Sequence, residues 1–150
     1  MTIDKIYDIL TDFDAEIAGV LSDTGFCCGS YSDDTDFDPF DPEKLYRLRE
    51  AGKILKHLEK AHEGLAWMKK PSRGPYQLHK QENGRYGVRL MDGSLKEFCC
   101  GDTVEALLGG SCGEIRWAKT RIEHNGDDYY LYGFPWEKME GMMVRERYNP

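Results

Sequence analysis

The chain has no long apolar run. Nothing in its 150 residues approaches the ~20 consecutive apolar residues that cross a bilayer, which excludes a membrane-spanning helix. The opening residues, MTIDKIYDIL, lack a basic n-region and a small-residue cleavage site, so a cytoplasmic protein is expected. There is no phosphate loop, GxGxxG, HExxH or nucleophile elbow. Ser, Cys and His never cluster as a nucleophile and its base, so no enzymatic activity is expected. Cysteine is sparse: Cys27, Cys28, Cys99, Cys100 and Cys112. An odd count without an export signal argues against a disulfide framework. CxxC and HxxxH spacings are also missing, and adjacent cysteines do not readily aim both sulfurs at one tetrahedral ion. Buried or half-buried free thiols are therefore favoured over zinc, and no cofactor is expected.

Basic residues are nearly missing from the first quarter. Residues 1–41 hold eleven carboxylates against one base, Lys5, a net of −10. Residues 42–70 carry a net of +4 and residues 71–150 a net of −1, so the overall charge of −7 originates at the start of the chain. Asp34, Asp36 and Asp38 have the first-third-fifth spacing of a calcium loop. The glycine and glutamate such a loop needs at its sixth and twelfth positions are Pro39 and Leu45 here. A solvated acidic loop is the better reading.

Two helices are expected first. Ile3, Ile6, Tyr7, Leu10, Phe13, Ile17, Val20 and Leu21 recur at three- and four-residue steps across 3–21, with Thr2 as the N-cap. Asp8, Asp12, Asp14 and Glu16 lie off that stripe and form a row of carboxylates. Residues 22–41 make a long connection whose Phe26, Tyr31, Phe37 and Phe40 imply partial packing or function. Asp41 caps a second helix over 42–69, with Pro42 at its first position. Its stripe is Leu45, Leu48, Leu55, Leu58 and Leu65, widened by Ile54, Ala61 and Met68, and most of its bases lie outside the stripe. An acidic and a basic helix of this kind would pair as an antiparallel hairpin. His57 and His62, five apart, are read as surface residues. Lys69 to Pro75 reads as a linker, placing the domains at 1–70 and 76–150 with a linker at 71–75.

From Tyr76 onward the period changes to two. Strands are expected at 76–81, 85–91, 94–99, around Val104–Leu108, 115–123, 129–132 and 142–148, joined by Asn83-Gly84, Asp92-Gly93 and Asn125-Gly126 turns. Val104, Ala106 and Leu108 share a face. A strict alternation would put Trp117 and Arg121 together, so a bulge near Ala118–Lys119 is expected. The result is an α+β chain: a helical hairpin followed by a small antiparallel barrel.

GDTVEALL, a Trp-containing strand with TRIE, and YYLYG together resemble an SH3-type barrel. With GRYGV (84–88), CGDTVEALLGG (100–110), TRIE (120–123), YYLYG (129–133) and GMMVRER (141–147), residues 76–147 are similar to a small domain family of unknown function. That family occurs in Gram-positive bacteria, commonly on plasmids, phages and conjugative elements. The resemblance implies a mobile-element setting and carries over no catalytic residue.

Two binding functions follow as expectations. In the first, Asp8, Asp12, Asp33, Asp34, Asp36 and Asp38 imitate nucleic-acid charge and hold a basic, nucleic-acid-binding protein. In a mobile-element setting that partner would be a nuclease of host defence, and the chain an anti-CRISPR-type inhibitor. In the second, Arg116, Trp117, Lys119, Arg121, Tyr130 and Tyr132 form a barrel face that reads nucleic acid or peptide. A regulatory accessory role in plasmid or conjugative-element maintenance is a third reading. No membrane partner is expected.

Overall fold

The computed structural model describes residues 1–33, 35–109 and 113–150, so Asp34 and Cys112 of the sequence reading lie outside the described residues. The chain divides into two compact units, Met1–Lys69 and Lys70–Pro150. No described helix is long and apolar enough to cross a membrane.

The first unit is two helices and their connection. Helix α1 spans Ile3–Thr24. The Thr2 hydroxyl accepts the Lys5 amide at its start, and Gly25 ends it in the left-handed region, where a side chain would be strained. Helix α2 spans Pro42–Lys69. The Asp41 carboxylate accepts the amides of Glu43 and Lys44 at 3.1 Å, closing two otherwise unpaired donors. Asp14 near the middle of α1 meets His62 and Lys69, and Gly29 beyond its end meets Glu59, so α1 and α2 run antiparallel. Ile17, Phe26, Leu55 and Leu65 are the buried apolar residues of this small core. The connection packs as well. Phe26 and Tyr31 meet edge to face with centroids 5.2 Å apart, and the Tyr31 hydroxyl donates to the Leu48 carbonyl. A Cβ at Gly52 would sit 3.3 Å from the Tyr31 ring, so the glycine in mid-helix is what admits the ring.

The second unit is antiparallel β-structure in two sheets. Strands β1 (Ser72–Gln77), β8 (Met143–Arg147), β5 (Thr103–Gly109), β6 (Ile115–His124) and β7 (Tyr129–Leu131) lie side by side in that order. Strands β2 (His79–Lys80), β3 (Tyr86–Arg89) and β4 (Leu95–Glu97) make the second sheet. The described ladders form two open sheets, and closure into a barrel is not among them. Leu78, Tyr86, Val88 and Phe98 from around the small sheet share one core with Val104, Ala106, Leu108, Ile122, Leu131 and Val144 from the large one. The alternation that marks Val104, Ala106 and Leu108 as inward residues is the alternation that buries them.

Four local expectations are corrected. Residues 72–75 are not linker but the start of β1, paired with β8 at Ser72↔Arg147 and Arg73↔Glu146. No bulge occurs at Ala118–Lys119: β5 and β6 pair without interruption from Thr103↔Arg121 to Gly109↔Ile115. Trp117 and Arg121 therefore do share a face, and that face has its own apolar and charged partners. Asp14 is no part of an exposed carboxylate row; its side chain is buried between the helices. The four described thiols are free but exposed, because Cys27–Cys28 and Cys99–Cys100 sit in turns rather than on inward strand positions.

Candidate interaction surfaces

Asp8 and Asp12 are exposed on α1, and Asp33, Asp36 and Asp38 are exposed on the connection. Among the described residues, the only acid of residues 1–40 in an ion pair is Asp14. Asp38 instead accepts the Phe40 amide at 2.9 Å, a local turn contact that leaves its charge facing water. The charge complementarity expected along the whole hairpin is thus concentrated at one place. There Asp14 receives His62 Nδ1 at 2.7 Å and Lys69 Nζ at 2.5 Å. The Lys69 hydrogen bond holds the Asp14 carboxyl below its usual range, helped by His62 and opposed by burial. His62, expected at the surface, is half-buried there. No group of three or more His, Cys, Asp or Glu among the described residues is close enough to hold a metal ion.

The second predicted surface is the outer face of the large sheet. The uninterrupted β5–β6 register puts Trp117, Lys119 and Arg121 on that face, and Tyr130 joins them opposite Glu123. The Arg121 guanidinium lies 4.0 Å from the centre of the Tyr132 ring. Thr103, Lys119, Thr120, Arg121 and Tyr132 line a shallow depression of about 230 Å³ there. Arg116 does not join them. It pairs opposite Leu108, on the inward line of β6, and is exposed only because it sits near the strand's end.

The same face holds residues that periodicity alone did not single out. β8 returns between β1 and β5 and brings Arg145 opposite Glu105. Glu105 is buried and receives both Arg145 and Arg147; Arg145 also lies 4.4 Å from the centre of the Trp117 ring. Arg121 is held by Glu123 at 2.5 Å. Glu123 also accepts the Cys100 thiol at 2.8 Å. That bond pushes the Cys100 thiol up and pulls the Glu123 carboxyl down, so this cysteine is held as a thiol, the opposite of an activated nucleophile. In the sequence Arg145 and Arg147 stand out only as bases near the candidate aromatic face. Their partner could not be read, because it lies forty residues away.

A third surface was not predicted. Phe26, Tyr31 and Phe37 of the connection face Leu45 and Leu48 of α2 across a largely apolar cavity of about 540 Å³, rimmed by Arg49, Lys53 and Lys56. The aromatic content of 22–41 was its only trace in the sequence. Phe37 is half exposed at its edge. A hollow with an apolar floor and a cationic rim can accept an apolar group that carries negative charge.

Residues 77–146 match the model of a family described as a domain of unknown function (DUF5348). The match runs from the end of β1 into β8 and covers just under half of the chain, leaving the helical unit outside it. No curated protein and no solved structure matches the chain.

Proposed function

We propose that this is a non-catalytic binding protein whose helical unit engages a basic, nucleic-acid-binding protein through exposed carboxylates. The observation that carries the reading is a contrast in how charge is used. Asp8, Asp12, Asp33 and Asp36 are exposed and take part in no ion pair among the described residues. On the outer sheet face, Arg121, Arg145 and Arg147 are already neutralised by Glu123 and Glu105. A cation held by a buried carboxylate must lose that partner to bind phosphate, whereas an exposed carboxylate has only water to lose. The acids on α1 and its connection then act as a fixed negative surface that steers a basic protein and occupies its nucleic-acid groove. Where that partner is a nuclease of host defence, occupancy inhibits it, and the mobile-element setting belongs to the same proposal.

The finer fold reading belongs here too. Two antiparallel sheets around one shared core are what an SH3-like barrel would present, and that core supports the reading. The second functional reading, a nucleic-acid- or peptide-binding sheet face, is favoured by Trp117, Tyr130 and Tyr132 lying beside Lys119 and Arg121.

The deciding experiment is affinity capture with the full chain at low and moderate salt, with and without nuclease treatment. The paired variants are Asp33→Lys with Asp36→Lys and, as the arginine variant of the sheet face, Lys119→Glu with Arg121→Glu. A basic protein that survives nuclease, is released by the aspartate variant and ignores the arginine variant supports the proposal. Capture lost on nuclease treatment, or lost only in the arginine variant, overturns it and moves the function to the sheet face.

A further inference from the structure

The helical hairpin leaves large apolar side chains of both helices exposed. In α1 the residues facing α2 are Asp14, Ile17 and Leu21. A second line, Ile6, Phe13 and Val20, recurs at seven-residue intervals and is 43–47% exposed. In α2 the residues facing α1 are Leu55, His62, Leu65 and Lys69. A second line, Ile54, Ala61 and Met68, again recurs every seven residues and is also exposed. Together with Ile3, Leu10 and Ile17 in α1, and Ala51, Leu58 and Leu65 in α2, these lines complete the two apolar positions of a heptad in each helix.

The two exposed lines lie on the same side of the hairpin. Each is turned in the same sense from the residues that face the other helix, by about 80° at ~100° per residue. For antiparallel helices, equal turns of the same sense bring both lines to one side. The hairpin therefore presents one continuous apolar face with two coiled-coil-like seams, the arrangement of half a four-helix bundle.

We propose that this face is a self-association surface and that its occupant is a second copy of this chain. Charge selects both the occupant and the pairing. The open border of the α1 seam carries Asp12, Glu16 and Asp23 with Lys5 at its start, and the open border of the α2 seam carries Lys60 and Lys53, the latter paired with Glu50 at 2.6 Å. A two-fold axis along the helices seats α1 of each copy on α2 of the other, so that each acidic border meets a basic one, twice. The other face-to-face arrangement sets α1 on α1 and opposes like carboxylates. Asp8 lies away from both seams, whereas Asp12 borders the α1 seam and belongs also to the surface proposed for a basic partner.

The test is sedimentation equilibrium of the full chain over about 1 to 100 µM, where mass action separates monomer from dimer. The expected result is a rise from 17.3 kDa to twice that mass. Phe13→Glu and Ile54→Glu, both at exposed positions, should each weaken the dimer at least about tenfold while circular dichroism shows the helices intact. Glu16→Lys and Lys60→Glu should each weaken self-association, and mixing the two should restore a mixed dimer, since both facing pairs become complementary. A monomer at every concentration overturns the proposal. Its cause would then be a cover from elsewhere in the chain if Phe13→Glu lowers the melting temperature, or a foreign protein if it does not. A dimer indifferent to both glutamate variants places the interface elsewhere. Failure of the mixed dimer overturns the α1-on-α2 pairing.

Discussion

The two units solve opposite problems with similar materials. The helical unit carries fifteen acids against eight bases and keeps the charges apart, acids on α1 and the connection, bases mostly on α2. The β unit carries twelve of each and interleaves them. In the helical unit one buried carboxylate, Asp14, gathers two partners, Lys69 and His62, while the exposed acids of α1 make no ion pair among the described residues. In the β unit Glu105 plays the same part for Arg145 and Arg147, and most neighbouring charges are also paired. The cores differ in depth. Leu78, Val88, Phe98, Val104, Ile122, Leu131 and Val144 are almost fully enclosed, whereas the helical core rests on Ile17, Phe26, Leu55 and Leu65. The contrast shows that net charge says little about what a surface has left to offer. Pairing decides it.

The sharpest way to break the comparison is to empty each core. Phe98→Ala should cost about 3–5 kcal/mol and Leu65→Ala about 2–3 kcal/mol, the difference reflecting how completely each side chain is enclosed. Urea titration checks both, with Trp67 reporting the helical unit and Trp117 the β unit. Equal losses would mean the helical core is as deep as the sheet core.

Removing the buried carboxylates comes next. Glu105→Gln leaves two guanidinium groups at 25% and 17% side-chain exposure without their anion, a cost of about 2–3 kcal/mol. Asp14→Asn should cost less, about 1–2 kcal/mol, because His62 and Lys69 are each 38% exposed and water can replace part of what they lose. Chemical denaturation that ranked Asp14 above Glu105 would reverse the assignment of the two sites.

The pH dependence of the helical unit follows from the same carboxylate. Asp14 has a folded pKa lowered from 3.8, so its contribution is present above that value and is lost as pH falls through the folded one. Helical signal should therefore weaken in acid below about pH 4, and Asp14→Asn should flatten that loss. An acid transition unchanged in the variant would assign it to other carboxylates.

The smallest effects should come from the exposed acids. Asp8→Asn and Asp36→Asn should each change stability by no more than about 0.5 kcal/mol in thermal melts, since neither has a partner among the described residues. A larger loss would give these residues a structural role and weaken the case for a partner.

Much of the fold was legible because it depends on local rules. Thr2 and Asp41-Pro42 mark helix starts by hydrogen-bonding and backbone preference alone, and both helices lie where the spacing put them, α1 extending three residues further to a Gly25 cap that the spacing did not mark. Val104, Ala106 and Leu108 alternate because a pleat does. The surfaces were legible only in part. Trp117, Lys119, Arg121 and Tyr130 follow from strand parity, but Arg116 falls on the other parity, and the expected bulge would have displaced the rest. The cavity behind Phe26, Tyr31 and Phe37 was announced by composition and not by position, because no period governs a loop.

By itself the sequence determined that two amphipathic helices precede antiparallel strands, that negative charge gathers in the first quarter, and that Val104, Ala106 and Leu108 share one face of their strand. Those are consequences of backbone geometry and of side-chain chemistry acting over a few residues. Only the tertiary structure decided that β8 lies between β1 and β5, that Glu105 is enclosed by Arg145 and Arg147, and that Asp14 is buried while its neighbours are not. Each of these joins residues about forty or more positions apart. A charge's partner, and hence whether it is still available, is set by packing between elements and not by the order in which they are joined.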